Sequence, residues 1–481
     1  MHTYSRLFIG GDWVSSSGDS VLEVVSPHSE AVVGRVPEAT MQDVDRAVAA
    51  ARVAFDTGDW PRLSPAQRAE FLTALAGVYE AHIDELAALV TEQMGAPISF
   101  SRFGQALPGA MIINAGVKVA TDYPWEELRR GDLADTVVRR TPVGVVAAIV
   151  PWNMPQLSAL TKLVPAVLAG CTVVLKPAAE TPIDALRLAE LIDGLGLPKG
   201  VVNVVTGGRT VGEGLIGHPG IDKVTFTGST ATGRRVAALC GEHLKRVSLE
   251  LGGKSAAVVL DDADISAMVA GLRFASFANS GQACIAQTRI LASRNNYDTV
   301  VEAVGELATS LPVGDPMDTH TELGPLVTRR QQQRVEKYIA LGQEEGARVI
   351  VGGTGMPKGL DRGWYVRPTV FADVHSGMRI AQEEIFGPVL TVIPYDDVDD
   401  AVRIANDSRY GLAGTVWTSD AERGMALARR IRTGSVGINQ YLPDFGAPLG
   451  GFKDSGFGRE GGPEGIDQYV EVQSLLPGVR V

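Results

Sequence analysis

Cysteine is scarce: Cys171, Cys240 and Cys284 are the only three in 481 residues. An odd, widely spaced set does not make a disulfide framework, so a reducing, cytoplasmic setting is expected. Histidine is sparse too, at seven, and none stands at ligand spacing from the cysteines; no metal site is expected. Long apolar runs are missing. The longest, near 143–150, falls far short of the ~20 residues of a membrane span, and residues 1–11 offer only Leu7-Phe8-Ile9, so neither a targeting segment nor a membrane partner is expected. Positive charge is short as well: 44 Lys and Arg against 56 Asp and Glu leave a formal charge of −12. Affinity for a phosphate backbone needs a basic face, which argues against a nucleic-acid partner while leaving room for a local pocket for one small anion.

What is present fits a large globular enzyme or scaffold. The length is roughly three times the ~150 residues of a typical domain. Hydrophobic residues at 45% and charged residues at 21% are ordinary for folded chains. After an N-terminal hairpin over 7–14, Thr40 and Asp43 have capping-box spacing ahead of a helix over 44–55. Ser64-Pro65 opens an amphipathic run over 66–94 that Gly95 stops. From 145 onward, short β-branched runs (145–150, 172–175, 201–205, 223–226, 246–251) alternate with helical stretches, which predicts a parallel α/β sheet. Thr181 is expected to cap a helix over 185–192 that ends at Gly194. Ligands of such sheets sit at the carboxyl ends of the strands, which singles out Trp152-Asn153, Lys176, Thr206-Gly207-Gly208 and Gly228-Ser229. A second alternating region starts at 255, with a helix over 265–277 and runs at 349–351, 389–393 and 435–438; Gly252-Gly253 mark a boundary between the two. Strand character at 136–141 and 469–474 is expected to leave an unpaired edge on each, which a second subunit would cover.

Three side chains could carry chemistry. Cys284 lies in a polar, glycine-containing break after an apolar helix; it is either a small buried hydrophobe or a nucleophile, and a thiolate at neutral pH needs a neighbouring base or cation. Cys171 and Cys240 read as structural. Glu250 closes an apolar strand, where burial would raise its pKa toward that of a general base, the alternative being a solvated strand end. Asn153, held between Pro151 and Pro155, is either a turn residue or an oxyanion donor.

Seven segments in one order, Pro151-Trp152-Asn153-Met154-Pro155, Leu175-Lys176-Pro177, Phe226-Thr227-Gly228-Ser229-Thr230, Glu250-Leu251-Gly252-Gly253-Lys254, Gly281-Gln282-Ala283-Cys284, Glu383-Glu384-Ile385-Phe386-Gly387-Pro388 and Ser455-Gly456-Phe457-Gly458-Arg459-Glu460, cover nearly the whole chain. Together they resemble the motif series of the aldehyde dehydrogenase superfamily, of the NAD(P)-dependent, hydrolytic, non-CoA-acylating type. The resemblance implies a Rossmann-like cofactor domain (1–122 and 142–251), an α/β catalytic domain (252–452) and a β oligomerisation arm (123–141 and 453–481), assembled as a homo-oligomer, dimer or tetramer. It implies Cys284 as the nucleophile giving a thiohemiacetal and then a thioester, Asn153 and the Cys284 N–H as oxyanion donors, and Glu250 as the base for hydrolysis. Lys162 and Glu460 resemble a pair that passes protons from that base. For the cofactor it implies Lys176 and Glu384 at the riboses, Phe386 by the nicotinamide, Trp152 and Ser229 at the pyrophosphate, and Gly228 and Gly233 framing a turn; Gly207 joins this group from its strand-end position.

Three positions depart from the pattern. Ala179 stands where many NAD-using members carry a glutamate, with Glu180 beside it, so NAD is expected with NADP left open. Ala231 replaces another common glutamate, and Pro448-Leu449 an aromatic. The positions matching the family's tunnel, Met154, Leu157, Ala278, Ile285, Tyr441, Leu442 and Phe445, are nearly all apolar, and Asp444 is the one nearby charge. A small-molecule aldehyde of apolar aliphatic, aromatic or terpenoid character is therefore the expected substrate, since a carboxylate-bearing one would want an Arg or Lys there. Two alternatives are a CoA-acylating relative, which the presence of Glu250 disfavours, and a structural protein that has kept the fold without the activity.

Overall fold

The structure is a computed structural model that describes residues 1–476. Its frame is two large α/β sheets and two small three-stranded ones, one of the latter made by His2–Thr3, Val32–Pro37 and Val21–Val25. The first has eight strands in the order Gly456–Phe457, Arg246–Glu250, Lys223–Thr227, Val145–Ile149, Thr172–Lys176, Val202–Val204, Leu7–Ile9 and Asp12–Val14. The five strands from Arg246–Glu250 to Val202–Val204 run parallel, and the others are antiparallel additions at the two sides. Every residue of Val145–Ile149 is buried, as expected of a strand covered on both faces. Val146 and Ala148 face one core, Val145 and Ala147 the other. The earliest of the parallel strands, Val145–Ile149, lies between the second, Thr172–Lys176, and the fourth, Lys223–Thr227. Strand order reverses there, so a crevice opens beyond their carboxyl ends.

The second sheet has seven strands in the order Arg348–Val351, Thr369–Ala372, Val389–Tyr395, Gln287–Ser293, Ser255–Val259, Gly414–Trp417 and Gly437–Ile438. All are parallel except the Arg348–Val351 edge. The third sheet pairs Thr136–Pro142 antiparallel with both Val470–Leu475 and Glu126–Arg129. This corrects the expectation of two unpaired edges: the two stretches pair with one another, from Val470 opposite Pro142 to Leu475 opposite Val137. The C-terminal segment also divides. Gly456–Phe457 extends the first sheet, and Ile466 and Tyr469 enter its core, so the arm proper receives only the last described strand; 477–481 lie outside the described residues. No helix among the described residues is long and apolar enough to cross a membrane.

The capping box at Thr40 with Asp43 forms, and Ser64 caps its helix ahead of Pro65 as expected, with Gln67 completing a second capping box. The run over 66–94 is two helices, Pro65–Glu80 and Ile83–Met94. At the break the His82 N–H turns to the Tyr79 carbonyl, and the His82 ring donates to the Val78 carbonyl at 2.7 Å in its place. Gly95 ends the second helix in the left-handed conformation. Thr181 does not cap the helix Ile183–Asp193, and its buried hydroxyl has no partner. The cap comes from Gln93, whose Oε1 accepts the Ile183 N–H at 3.0 Å.

Beside that cap, buried Asp184 accepts from Gln93 Nε2 at 2.7 Å and Gln156 Nε2 at 2.6 Å, and Tyr79 donates to Gln156. The network ties four helices together, among them Pro155–Ala169, which carries Lys162. Burial raises Asp184 to about 7. The unfolded chain ionises this group near pH ~4 while the folded chain stays protonated, so its contribution to stability is full below ~4 and is lost as pH rises toward ~7. Asp184→Asn is expected to flatten that slope in urea unfolding at pH values across the window; an unchanged slope would remove Asp184 as its source.

Candidate active site

Between Asn153 and Ile183 the chain runs from strand end to helix twice, and each time the first sheet offers its carboxyl end. Asn153 follows Val145–Ile149 and precedes the helix Pro155–Ala169, which starts with proline at its first position. Lys176 ends the next strand, Glu250 the strand Arg246–Glu250. Ser229 caps the helix Thr230–Glu242 by accepting the Thr232 N–H at 3.3 Å, beside Gly228. The second sheet faces this crevice with its amino ends: Cys284 precedes Gln287–Ser293, and Glu384 and Phe386 precede Val389–Tyr395.

Gly252-Gly253 carry the chain from one sheet to the other, and they do more than separate them. A Cβ at Gly252 would stand 2.3 Å from Glu384 Oε2, and one at Gly253 would stand 2.3 Å from the Cys284 carbonyl oxygen. The Gly253 N–H donates to Glu384 Oε1 at 2.9 Å. Bare backbone is needed for the carboxylate and the thiol-bearing loop to approach this closely. Trp152 and Phe386 meet edge to face at 5.4 Å between ring centroids, with Phe386 at a left-handed φ of 67°.

A cleft of about 2220 Å³ runs between the sheets, more than the ~300–1,000 Å³ of a single small-ligand pocket. It is lined by Trp152, Asn153, Lys176, Gly207, Gly228, Ser229, Glu250, Cys284, Glu384, Phe386 and Glu460, and by all seven expected tunnel positions. Two expected residues are not on its wall. Gly233 packs behind it, where a Cβ would meet Leu251 at 2.4 Å; its service is to helix–strand packing. Lys162 is fully buried and donates to Thr227 Oγ1 at 2.6 Å while pairing with Glu460.

Burial dominates the electrostatics. It pushes the Cys284 thiol up to about 12, helped by the negative charges of Glu384, Glu250 and Glu460. Glu250 is raised well above the ordinary carboxyl range by burial and by Glu460, against the pull of Lys162 and Arg459. Its Oε1 is buried without a hydrogen-bond partner, a proton acceptor with a vacant lone pair. Burial raises Glu384 to about 7, with the Gly253 N–H, Arg334 and Lys254 opposing. Lys176, whose Nζ donates to the Pro177 carbonyl at 2.6 Å, is pulled down to about 8 by burial, with Glu180 and Glu38 opposing.

Sequence reasoning missed part of the apolar wall: Phe100, Phe103, Met111 and Phe274 also line the cleft. Phe103 sits in a π-helical turn, Ser101–Ala106. Phe103, Leu107 and Met111 stand exposed on this helical stretch, which only the structure shows. Asn279 and Gln282 were passed over as loop polarity.

A sheet whose strand order reverses at a cleft, facing a second sheet that supplies a thiol, defines an α/β enzyme with room for a large cofactor and a second ligand. The chain belongs to the Aldehyde dehydrogenase family, whose pattern matches residues 13–475. It is 45% identical over 473 residues to geranial dehydrogenase of Castellaniella defragrans, covering 98% of each chain. Among solved structures, an aldehyde dehydrogenase of Mycobacterium tuberculosis complexed with NAD+ superposes with a TM-score of 0.98 at 49% identity, covering 99% of both chains. A cysteine-to-alanine mutant of aldehyde dehydrogenase C from Pseudomonas syringae, complexed with NAD+ and octanal, superposes at 0.95 with 40% identity, covering 98% of this chain and 97% of that one.

Proposed function

We propose that this chain oxidises an apolar aliphatic, aromatic or terpenoid aldehyde to the carboxylic acid through a Cys284 thioester, with NAD+ as cofactor. The observation that carries the reading is the meeting of Cys284, Glu250 and Asn153 in one cleft that the apolar and aromatic side chains of Phe100, Phe103, Met111, Leu157, Phe274 and Tyr441 also line. The relatives that act on geranial or hold octanal point the same way.

A dinucleotide fits the other end of the cleft. Lys176 and Glu384 stand as hydrogen-bonding groups on its wall, Ser229 begins a 13-residue helix whose N-terminal dipole favours phosphate, and the Trp152–Phe386 pair offers a flat apolar wall. When bound, it supplies the acceptor for the aldehyde hydrogen. The chain's own residues do the rest. Cys284 Sγ, its proton passed to water in the cleft, forms a C–S bond to the carbonyl carbon as the carbonyl π pair moves onto the oxygen. One Asn153 Nδ2 hydrogen is committed to the Gln282 carbonyl at 2.9 Å, which leaves the other for the oxyanion, beside the Cys284 N–H. Glu250 takes a proton from the water that attacks the thioester; the C–S bond breaks and the thiol returns. The Lys162–Glu460 pair lies beside Glu250 to carry the proton away.

A 2′-phosphate at Lys176 would bring negative charge toward Glu180 and Glu38, so kcat/KM is expected to favour NAD+ over NADP+ by about tenfold or more, the effect of one uncompensated repulsion. The experiment is NADH appearance with octanal, geranial, benzaldehyde and succinate semialdehyde, with and without CoA, for either cofactor. The reading requires turnover of the first three above the last, with free acid as the product. Preference for the carboxylate-bearing aldehyde, acyl-CoA formation or an NADP+ preference would each overturn the corresponding part.

The same reading assigns the third sheet to subunit contacts in a homo-oligomer, a dimer or tetramer. Its outer strands, Glu126–Arg129 and Val470–Leu475, each pair on one side only among the described residues, and Leu128 and Val472 on them are exposed. Deleting 470–481 while keeping Tyr469, which belongs to the core, is expected to lower the mass in solution; an unchanged assembly would move the contact elsewhere.

A further inference from the structure

The oxyanion donors of the proposed mechanism come from different sheets: Asn153 from the first, the Cys284 N–H from the loop that enters the second. Something must fix their separation, because displacement by ~1 Å can cost about 100-fold in rate. The residues leading to Cys284 show an unusual backbone. Asn279, Ser280 and Gly281 follow one another in the left-handed region, at φ of 57°, 56° and 72°. For non-glycine residues such a conformation is unfavourable and is kept where the surroundings require it.

Asn279 is where the requirement is visible. Left-handed backbone alone would be met by glycine, yet an asparagine stands here with its side chain buried. Its Nδ2 donates twice, to the Asn153 carbonyl at 2.9 Å and to the Gln282 carbonyl at 3.1 Å. Its Oδ1 is buried with no partner, so the amide is oriented by its two N–H groups at the expense of its oxygen. The Gln282 carbonyl also receives Asn153 Nδ2, which closes a ring: Asn153 side chain to Gln282 carbonyl, Asn279 side chain to both Gln282 and Asn153 carbonyls. The ring spans the two sheets two residues before Cys284. Outer bonds brace it. Gln105 Nε2 reaches the Asn153 carbonyl at 3.3 Å, the Val327 N–H meets Gln282 Oε1 at 3.1 Å, and Ser280 Oγ donates to the Gly324 carbonyl at 3.0 Å.

We infer that Asn279 is a positioning residue for aldehyde oxidation, a two-pronged amide clamp that sets the distance between the Asn153 amide and the Cys284 backbone N–H. The inference rests on the role proposed above for Asn153. Asn279 touches neither substrate nor cofactor; it acts through Asn153 and Gln282.

The test is a double-mutant cycle on kcat/KM for octanal oxidation with Asn153→Ala, Asn279→Gly and the pair, alongside thermal unfolding and NAD+ binding by protein fluorescence. Asn279→Gly accepts the left-handed backbone and deletes the amide. Asn279→Asp keeps the side-chain shape and left-handed tolerance without the two donors, and it replaces the glycine variant if that one fails to fold. The clamp predicts a kcat lower by about 10- to 100-fold with the KM for NAD+ unchanged. In the Asn153→Ala background the same substitution is expected to change the rate by less than about twofold, because the group it positions is gone. Full kcat in folded Asn279→Gly or Asn279→Asp, or the same loss in both backgrounds, overturns the clamp and leaves Asn153 as the donor. Full turnover by Asn153→Ala alone overturns the oxyanion reading, and the clamp with it.

Discussion

Glu250→Gln is expected to release about one equivalent of NADH per active site in a rapid burst and then turn over about 100-fold or more slowly than the parent, in the range of a lost general base. In the proposed mechanism the burst survives because attack and hydride departure use Cys284 and Asn153, and the slow phase appears because an amide cannot accept the water proton. The carboxyl is held at the end of the strand Arg246–Glu250, which is paired on both sides, with Thr227 and with Gly456 opposite Glu250. Its pKa is raised chiefly by burial and next by Glu460, so the ionised base is lost as pH falls, and the parent's kcat is expected to rise with pH through that raised value. The glutamine variant lacks the limb. A variant with no burst and a normal steady rate contradicts the assignment, as does an unchanged acid limb.

Cys284→Ala is expected to abolish aldehyde oxidation, by about 10⁴-fold or more as for other lost nucleophiles, with dinucleotide affinity within about twofold of the parent by fluorescence titration. The separation follows from the layout: Lys176, Ser229 and Glu384 belong to other elements, and alanine at 284 leaves the backbone that packs on Gly253 in place. The other two thiols provide the comparison. Cys171 is buried and donates to the Tyr469 carbonyl at 3.3 Å, Cys240 is buried in the core on the other face, and burial raises both to about 11. Cys171→Ala and Cys240→Ala are expected to lower stability by roughly 1 kcal/mol and keep activity. Loss of turnover in either, with the fold intact, would mean another nucleophile.

The legible parts of this molecule were those with a local cause. Thr40-Asp43 and Ser64-Gln67 cap within three residues, and Val145–Ile149 buries both its faces, so its continuous apolar run reads directly as a parallel strand. The rule that ligands lie beyond carboxyl strand ends pointed to Asn153, Lys176 and Gly228, and a carboxylate closing an apolar strand pointed to Glu250; all four line the cleft. The strand-end rule had no purchase on Cys284 and Glu384, which precede their strands; Cys284 stood out by its polar, glycine-containing loop, and Glu384 by the motif resemblance alone. Long-range substitution of local signals defeated other expectations. Gln93 caps Ile183 in place of Thr181, and His82 closes a helix that periodicity carried through. The strands at 137–142 and 470–475 look like open edges because each is read alone, and nothing in either shows that the other is its partner. Asn279 resembles any loop asparagine until its two carbonyl partners, one of them on the other sheet, are in view.

The central claim is a covalent acyl intermediate on one thiol, and the most direct measurement of it is mass. Glu250→Gln, mixed with octanal and NAD+ and quenched in acid after the burst, should carry one added octanoyl group per chain, located by peptide analysis on Cys284 and absent when NAD+ is omitted. An unmodified chain after a full burst, or an acyl group on any other residue, would contradict the account.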